Sequence, residues 1–287
     1  MGIISKFIDF FLYSNIWIAG SAAALCVYTQ YVLCDLFVLD HRALFLFTTC
    51  TWLYSLHRYI GLQKVKAINK EDRFFKIKQL QRTIFIIGGI SFIISSILIF
   101  YLTWLEIFVL ILPGILSMLY VLPIFKGGTR LRDMDYIKVY TIALVWGGLS
   151  VLFGAAGPAG CFQSSILFTI FIERCLFIFA ITLPFDIRDL KIDKLINVKT
   201  IPAKIGIPKT KVLCFLLLTI CSLLLTGLYF YGLLPLNILG IHLLTNILTI
   251  LIILLAIHKK HDWYYTGLLD GTMYFPLLFL CFSLLFS

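Results

Sequence analysis

Three aspartates close a long apolar stretch in the run Asp186-Ile187-Arg188-Asp189-Leu190-Lys191-Ile192-Asp193, which continues to Thr200-Ile201-Pro202 and Gly206. On a helix the i, i+3, i+7 spacing puts all three carboxylates on one face, where oxygen ligands converge on a hard divalent cation. A second polar group follows the stretch Leu119-Tyr120-Val121-Leu122-Pro123-Ile124-Phe125-Lys126 and includes Gly127, Gly128, Arg130 and Arg132. Lys126 is a point charge suited to phosphate, and an arginine is a bidentate fork for the same anion. Anchoring of this loop to anionic lipid is the alternative reading. A third group, Tyr54, His57, Arg58 and Gly61, follows i, i+3, i+4, i+7 spacing and shares a helix face.

Isolated polar residues inside apolar stretches complete the inventory. Asp270 lies one turn inside the last stretch, where an unpaired carboxylate is costly; a site role and a structural ion pair both remain open. Asn15 either lines the same cavity or makes a helix-packing hydrogen bond. Glu173 and Arg174 point about 100° apart on a helix and are poor partners for each other, so interhelical pairing is expected. His242 reads as a packing histidine.

The elements that carry these groups are membrane helices. The chain has 287 residues, of which 61% are hydrophobic and 13% charged, far too apolar for a soluble domain. About 20 apolar residues cross the hydrocarbon core. Nine stretches qualify, at roughly 14–35, 42–62, 83–101, 104–124, 137–154, 163–185, 210–230, 235–257 and 266–286. The expected fold is an all-α polytopic membrane bundle of nine transmembrane helices, one domain over 1–287. Lys and Arg concentrate in the connections after the even-numbered stretches; of the 24 basic residues, only Arg42, Arg58 and Arg174 lie away from those connections and the amino terminus. The positive-inside rule then puts the N-terminus in the cytoplasm and the C-terminus outside. That topology accounts for the net charge of +10, so nucleic-acid binding is not needed. No Cys-x-x-Cys pair occurs among the eight cysteines, so neither a disulfide framework nor a zinc site is expected. No cleavage pattern follows the first apolar stretch, which reads as a retained span. The unusual polar clusters fall at cytoplasmic helix ends, which favours an enzyme cavity over a path across the membrane.

These residues resemble a known family. The run DIRDLKIDKLINVKTIPAKIG is similar to the second aspartate-rich motif of the UbiA-type superfamily of intramembrane prenyltransferases, and LYVLPIFK resembles its fourth-helix signature. The resemblance implies a helical bundle in a bacterial cytoplasmic membrane, with a lipid-open cavity facing the cytoplasm. It implies a polyprenyl diphosphate substrate, gripped through Mg2+ held by two aspartate motifs, and an aromatic or other lipophilic acceptor that captures the allylic cation. Carried onto this chain, the metal ligands are Asp186, Asp189 and Asp193. Asp189, Asp193 and His57 are the candidate catalytic residues. Arg58, Tyr120, Lys126, Arg130 and Arg132 are the candidate diphosphate contacts, and Asn15, Tyr54 and Asp270 line the cavity.

The chain departs from the family at the first motif. Where an Asn-Asp pair and further aspartates are expected, it reads Leu56-His57-Arg58-Tyr59-Ile60-Gly61-Leu62-Gln63-Lys64, with no carboxylate. The nearest acidic residues, Glu71 and Asp72, read as a solvated loop face. Three explanations follow: His57 and Arg58 contact the diphosphate in place of one metal, Asp270 supplies a missing ligand, or catalysis is lost or changed. The last would leave an isoprenoid- or quinone-binding protein or a terpene cyclase.

Overall fold

The computed structural model describes residues 3–63, 73–157, 162, 165–195, 197–256 and 261–286. Among them the secondary structure is helical, apart from a single Phe125–Thr129 bridge. In chain order the helices are α1 (Ile3–Tyr13), α2 (Ile16–Cys34), α3 (His41–Gln63), α4 (Arg73–Gln79), α5 (Gln81–Leu98), α6 (Trp104–Val121), α7 (Ile137–Gly147), α8 (Leu167–Leu195), α9 (Ile201–Ile205), α10 (Ile207–Phe230), α11 (Leu236–Leu254) and α12 (Phe275–Leu285). A π-helical segment, Gly148–Phe153, extends α7, and another, Tyr264–Leu269, leads through Thr272–Tyr274 into α12.

Seven helical segments among the described residues are long and apolar enough to cross a membrane: Ile16–Cys34, Gln81–Tyr101, Trp104–Val121, Leu167–Leu195, Ile207–Phe230, Leu236–Leu254 and Tyr264–Leu285. Ile137–Phe153 is apolar but shorter. The remaining expected span, α3, carries His41, Arg42, Thr48, Thr49, Thr51, Ser55, His57 and Arg58, and that polarity keeps it out of the seven. Lys64, Lys66, Lys70, Glu71, Asp72, Lys259 and Lys260 lie outside the described residues.

The core gathers around α8, which packs against α7 and α10, while α3 packs against α2 and α5. At 29 residues α8 is roughly 43 Å long, more than the ~30 Å hydrocarbon core requires. It continues past the expected end at residue 185, so its aspartates sit on the overhang. Gly206 joins α9 to α10 at φ +82°, a left-handed position that favours glycine, which accounts for the glycine after the Thr-x-Pro sequence. The two short helices α1 and α4 brace one end of the bundle. Asp9 of α1 accepts from Lys76 Nζ at 2.9 Å and Trp263 Nε1 at 2.7 Å.

A polar lattice ties the opposite end. Asp40 accepts hydrogen bonds from Gln30, Arg42 and the Ala43 backbone, and Arg42 Nη1 donates to the Gly154 carbonyl at 2.8 Å. Burial opposes the Asp40 charge, but the bonds from Gln30 and Ala43 and the Arg42 charge outweigh it and hold the carboxyl below its ordinary value.

Two expectations about buried groups are corrected. Glu173 and Arg174 do approach each other, with Arg174 Nε 3.7 Å from Glu173 Oε2 in a nearly dry site, and the interhelical pairing expected of them is also present, His242 Nδ1 of α11 lying 3.9 Å from Glu173 Oε1. His242 packs beside them, with its ring 5.3 Å from that of Tyr28. Cys34 is disulfide-bonded, although the spacing of the cysteines gave no reason to expect a bridge; Cys26, Cys50, Cys175, Cys214, Cys221 and Cys281 are free.

Candidate active site

A cavity of about 540 Å³ opens where α3, α6, α8 and the segment 262–273 converge. The largest share of its wall comes from one face of α8: Ile178, Ile181, Thr182, Phe185, Arg188, Asp189, Ile192 and Asp193 recur at three- and four-residue steps. Along that face the lining changes from aliphatic to charged. Apolar walls come from Ile18, Ile142, Trp146 and Met273. The helical face expected on α3 is present in full, since Tyr54, His57, Arg58 and Gly61 all line the cavity.

Of the residues singled out from sequence, Asp189, Asp193, His57, Arg58, Tyr120, Arg130, Arg132, Tyr54 and Asp270 share this one cavity. Three do not. Lys126 is exposed in a turn whose glycines, Gly127 and Gly128, adopt φ of +74° and +71°, and it lies off the cavity wall. Asn15 is fully buried and donates to Ser55 Oγ at 3.1 Å, the helix-packing alternative. Asp186 is 1% exposed, with Oδ1 2.5 Å from Lys138 Nζ. It is displaced from the shared carboxylate face because three residues advance 300°, not a full turn, so it points toward α7.

Sequence reasoning missed four charged groups, Lys138, Asp133, Arg188 and Asp262, that line the cavity and set its electrostatics. Arg130 forks onto Asp133 through Nε at 3.0 Å and Nη2 at 2.9 Å. Arg188 forks onto Asp189 at 2.8 and 3.2 Å, and its third nitrogen reaches Asp262 at 2.7 Å. The i, i+3 spacing of Arg130 and Asp133 is a signal that was there to be used. Nothing local announces that Arg188 turns toward its own neighbour, or that Lys138 meets a residue 48 positions away.

Two contacts define the α3 side. Arg58 caps the end of α1 by donating to the carbonyls of Tyr13 and Leu12, the latter at 3.2 Å. Arg132 donates to His57 Nε2 and lies 5.6 Å above the Tyr120 ring. A guanidinium has no acceptor, so Nε2 is the lone-pair nitrogen and the ring proton sits on Nδ1. That Nδ1 is buried without a hydrogen-bond partner. Burial works against the Arg132 charge, but Tyr120, Asp133, Asp189 and Asp193 outweigh it and hold the guanidinium charged. Tyr13 OH donates to Asp262 at 3.0 Å, and burial followed by the charge of Asp262 pushes its phenol well above the ordinary range.

Among the described residues no group of three or more His, Cys, Asp or Glu side chains is arranged to hold a metal ion. Asp186 is taken by Lys138 and Asp189 is forked by Arg188. Asp193 differs: it is 7% exposed and its Oδ2 is buried with no hydrogen-bond partner. An orphaned carboxylate oxygen one turn from a second carboxylate suits one hard cation that takes its remaining ligands from an anion in the cavity. The donors do not suit a cage built from two acidic motifs, because α3 offers none.

A model of the UbiA prenyltransferase family matches residues 63–280. No curated protein matches the chain in sequence. Among solved structures, a UbiA homologue from Archaeoglobus fulgidus bound to GPP and Mg2+ superposes with a TM-score of 0.63 at 12% identity, covering 98% of this chain and all of that one. The apo UbiA homologue from Aeropyrum pernix K1 gives 0.62 at 13% identity, covering 95% of this chain and 97% of that one. A structure described for digeranylgeranylglyceryl phosphate synthase gives 0.59 at 16% identity, covering 99% and 100%. At these identities the structures establish a shared fold, and the family match, which spans most of the chain, establishes kinship: the chain belongs to the UbiA prenyltransferase family.

Proposed function

We infer that this protein transfers an isoprenoid chain from a prenyl diphosphate to a lipophilic acceptor, within one membrane domain whose cavity opens to the cytoplasm. The observation that carries this reading is the polarity of this cavity, which joins Asp189, Asp193, Arg58, Arg130 and Arg132 at one end to Ile142, Trp146, Ile178, Ile181 and Met273 beyond them. An amphiphile with a charged head and an apolar tail matches that division. GPP, bound with Mg2+ by the Archaeoglobus homologue, is such a molecule. The lopsided distribution of Lys and Arg supports the cytoplasmic orientation of the basic connections and of a nine-span arrangement.

The chemistry follows from the same polarity. Cleavage of the C1–O bond leaves an allylic cation on the chain and an additional negative charge on the diphosphate. Arg58, Arg130 and Arg132 are fixed charges at the end where that negative charge develops, so they stabilise the separated state more than the intact ester. A divalent ion at Asp193 and Asp189 would add Lewis-acid stabilisation of the same leaving group. Tyr54 presents an aromatic ring to the cavity, and its face favours the cation. The aliphatic wall excludes water, which would otherwise intercept the cation as an alcohol.

Purified protein supplied with labelled geranyl diphosphate, Mg2+ and mixed aromatic and lipid acceptors is expected to release diphosphate and form a prenylated product. Asp189→Asn is expected to slow this by about tenfold or more. No turnover, or turnover that Asp189→Asn leaves intact, refutes the assignment. A hydrocarbon formed in the absence of acceptor would identify cyclisation instead of transfer.

A further inference from the structure

Within the reading of the cavity as a prenyl-diphosphate site, on which this rests, we propose that the diphosphate is gripped by one divalent ion on the α8 side and by the Arg132–His57 pair on the α3 side. The pair stands on the side where the first acidic motif and its metal are expected.

The two sides of the cavity carry complementary unmet valences. On α8, Lys138 and Arg188 occupy Asp186 and Asp189, and the orphaned acceptor is Asp193 Oδ2. On α3, the orphaned group is a donor, the Nδ1–H of His57, which exists because Arg132 claims Nε2. Arg132 is not consumed by Asp133: Arg130 takes that carboxylate bidentately, and Arg132 Nε stands 4.0 Å away. Tyr120 fixes the guanidinium from below and the imidazole from the side, with ring centres of Tyr120 and His57 5.9 Å apart. A fixed cation and a neutral N–H donor donate to phosphate oxygens directly, with no metal between.

The available ligands limit the metal to one. Among the described lining residues Arg130, Lys138 and Arg188 are each paired with a carboxylate, so their charge is largely answered before an anion arrives. A diphosphate then brings a cation with it, and Asp193 is where that cation finds a ligand. A second ion on the α3 side would meet Arg58, Arg132 and an imidazole whose acceptor nitrogen is already used; among the described residues α3 itself supplies no carboxylate, and Asp270 reaches the cavity from the segment 262–273.

Bound Mn2+ counted by EPR on the purified full-length chain with saturating inorganic pyrophosphate tests the stoichiometry. One Mn2+ per protein is expected, and two would overturn the proposal. Asp193→Asn is expected to abolish Mn2+ retention. Arg132→Gln is expected to weaken pyrophosphate binding by calorimetry on the order of 10- to 100-fold while the count stays at one, with Arg132→Lys recovering part of the loss. His57→Phe provides an independent variant should Arg132→Gln not fold. Unchanged pyrophosphate affinity in a folded Arg132→Gln or His57→Phe protein refutes the direct grip. If one Mn2+ and pyrophosphate bind as expected but no prenyl transfer occurs, the anion seat stands and the transfer assignment falls.

Discussion

Replacing Lys138 with methionine removes the ammonium that faces Asp186 and leaves a carboxylate that is 1% exposed without its counter-charge. The pair is close, with Nζ 2.5 Å from Oδ1, and both side chains are buried, at 10% and 1% exposure. Breaking a buried ion pair from one side costs about 3–5 kcal/mol, most of it the penalty of the stranded charge. Asp186→Asn strands the ammonium and falls in the same range. The double variant Lys138→Met/Asp186→Asn buries no charge, and only an amide lacking its partner remains, at about 1–3 kcal/mol. The two single losses should therefore sum to about 6–10 kcal/mol while the double loses far less, a coupling of several kcal/mol. Titration with SDS in mixed micelles, followed by tryptophan fluorescence, measures all four proteins. Additive losses would refute the pairing. The same proteins test the role of Asp186: with Asp186 engaged by Lys138, Asp186→Asn should retain Mn2+ in the presence of pyrophosphate. Loss of Mn2+ from a folded Asp186→Asn protein would return Asp186 to the ligand set.

Two further outcomes follow from local geometry. A Cβ on Gly148, in the π-helical extension of α7, would stand 2.8 Å from Pro113 Cγ of α6, and a proline ring cannot swing aside. Gly148→Ala is expected to cost about 1–3 kcal/mol in the SDS titration, whereas Gly114→Ala, whose Cβ meets nothing within 4 Å, should gain up to ~1 kcal/mol of helix propensity. Asp40 gives a pH signature: its folded pKa lies below the ordinary 3.8, so its stabilisation is complete above that value and is lost as pH falls through the folded one. Stability should decline below about pH 4, and Asp40→Asn should flatten that limb; an unaltered slope would exclude Asp40 as its source.

Periodicity carried the architecture because a helix repeats its faces at fixed steps. The 54, 57, 58, 61 face of α3 and the carboxylates at 189 and 193 of α8 could be read directly and do share one cavity. Asp186 could not be separated from them by spacing alone. At i, i+3 it is near the same face, and what draws it away is Lys138, a residue on another helix. Lys126 shows the converse, a cation at a plausible helix end that the Gly127-Gly128 turn carries out to solvent. The disulfide at Cys34 and the contact of Glu173 with His242 likewise depend on tertiary neighbours that no local pattern encodes.

The placement of charges on α8 bears on why the site can hold so many carboxylates near an apolar wall. Stranded charge is expensive there, and the chain answers it by supplying a protein cation to Asp186 and to Asp189, while Asp133 is answered by Arg130 and Asp262 by Arg188. Asp193, with an oxygen lacking any hydrogen bond, breaks that rule at the overhang of α8. An arginine already bonded to Asp189 and Asp262 holds the helix end in place without metal, so the geometry of Asp193 is established before substrate arrives. In the proposed reaction, ionisation would create its two charges on either side of a boundary that already exists, negative charge toward the guanidinium groups and positive charge toward the aromatic and aliphatic wall. Such a step would need little side-chain reorganisation, which is the condition under which fixed charges lower a barrier most.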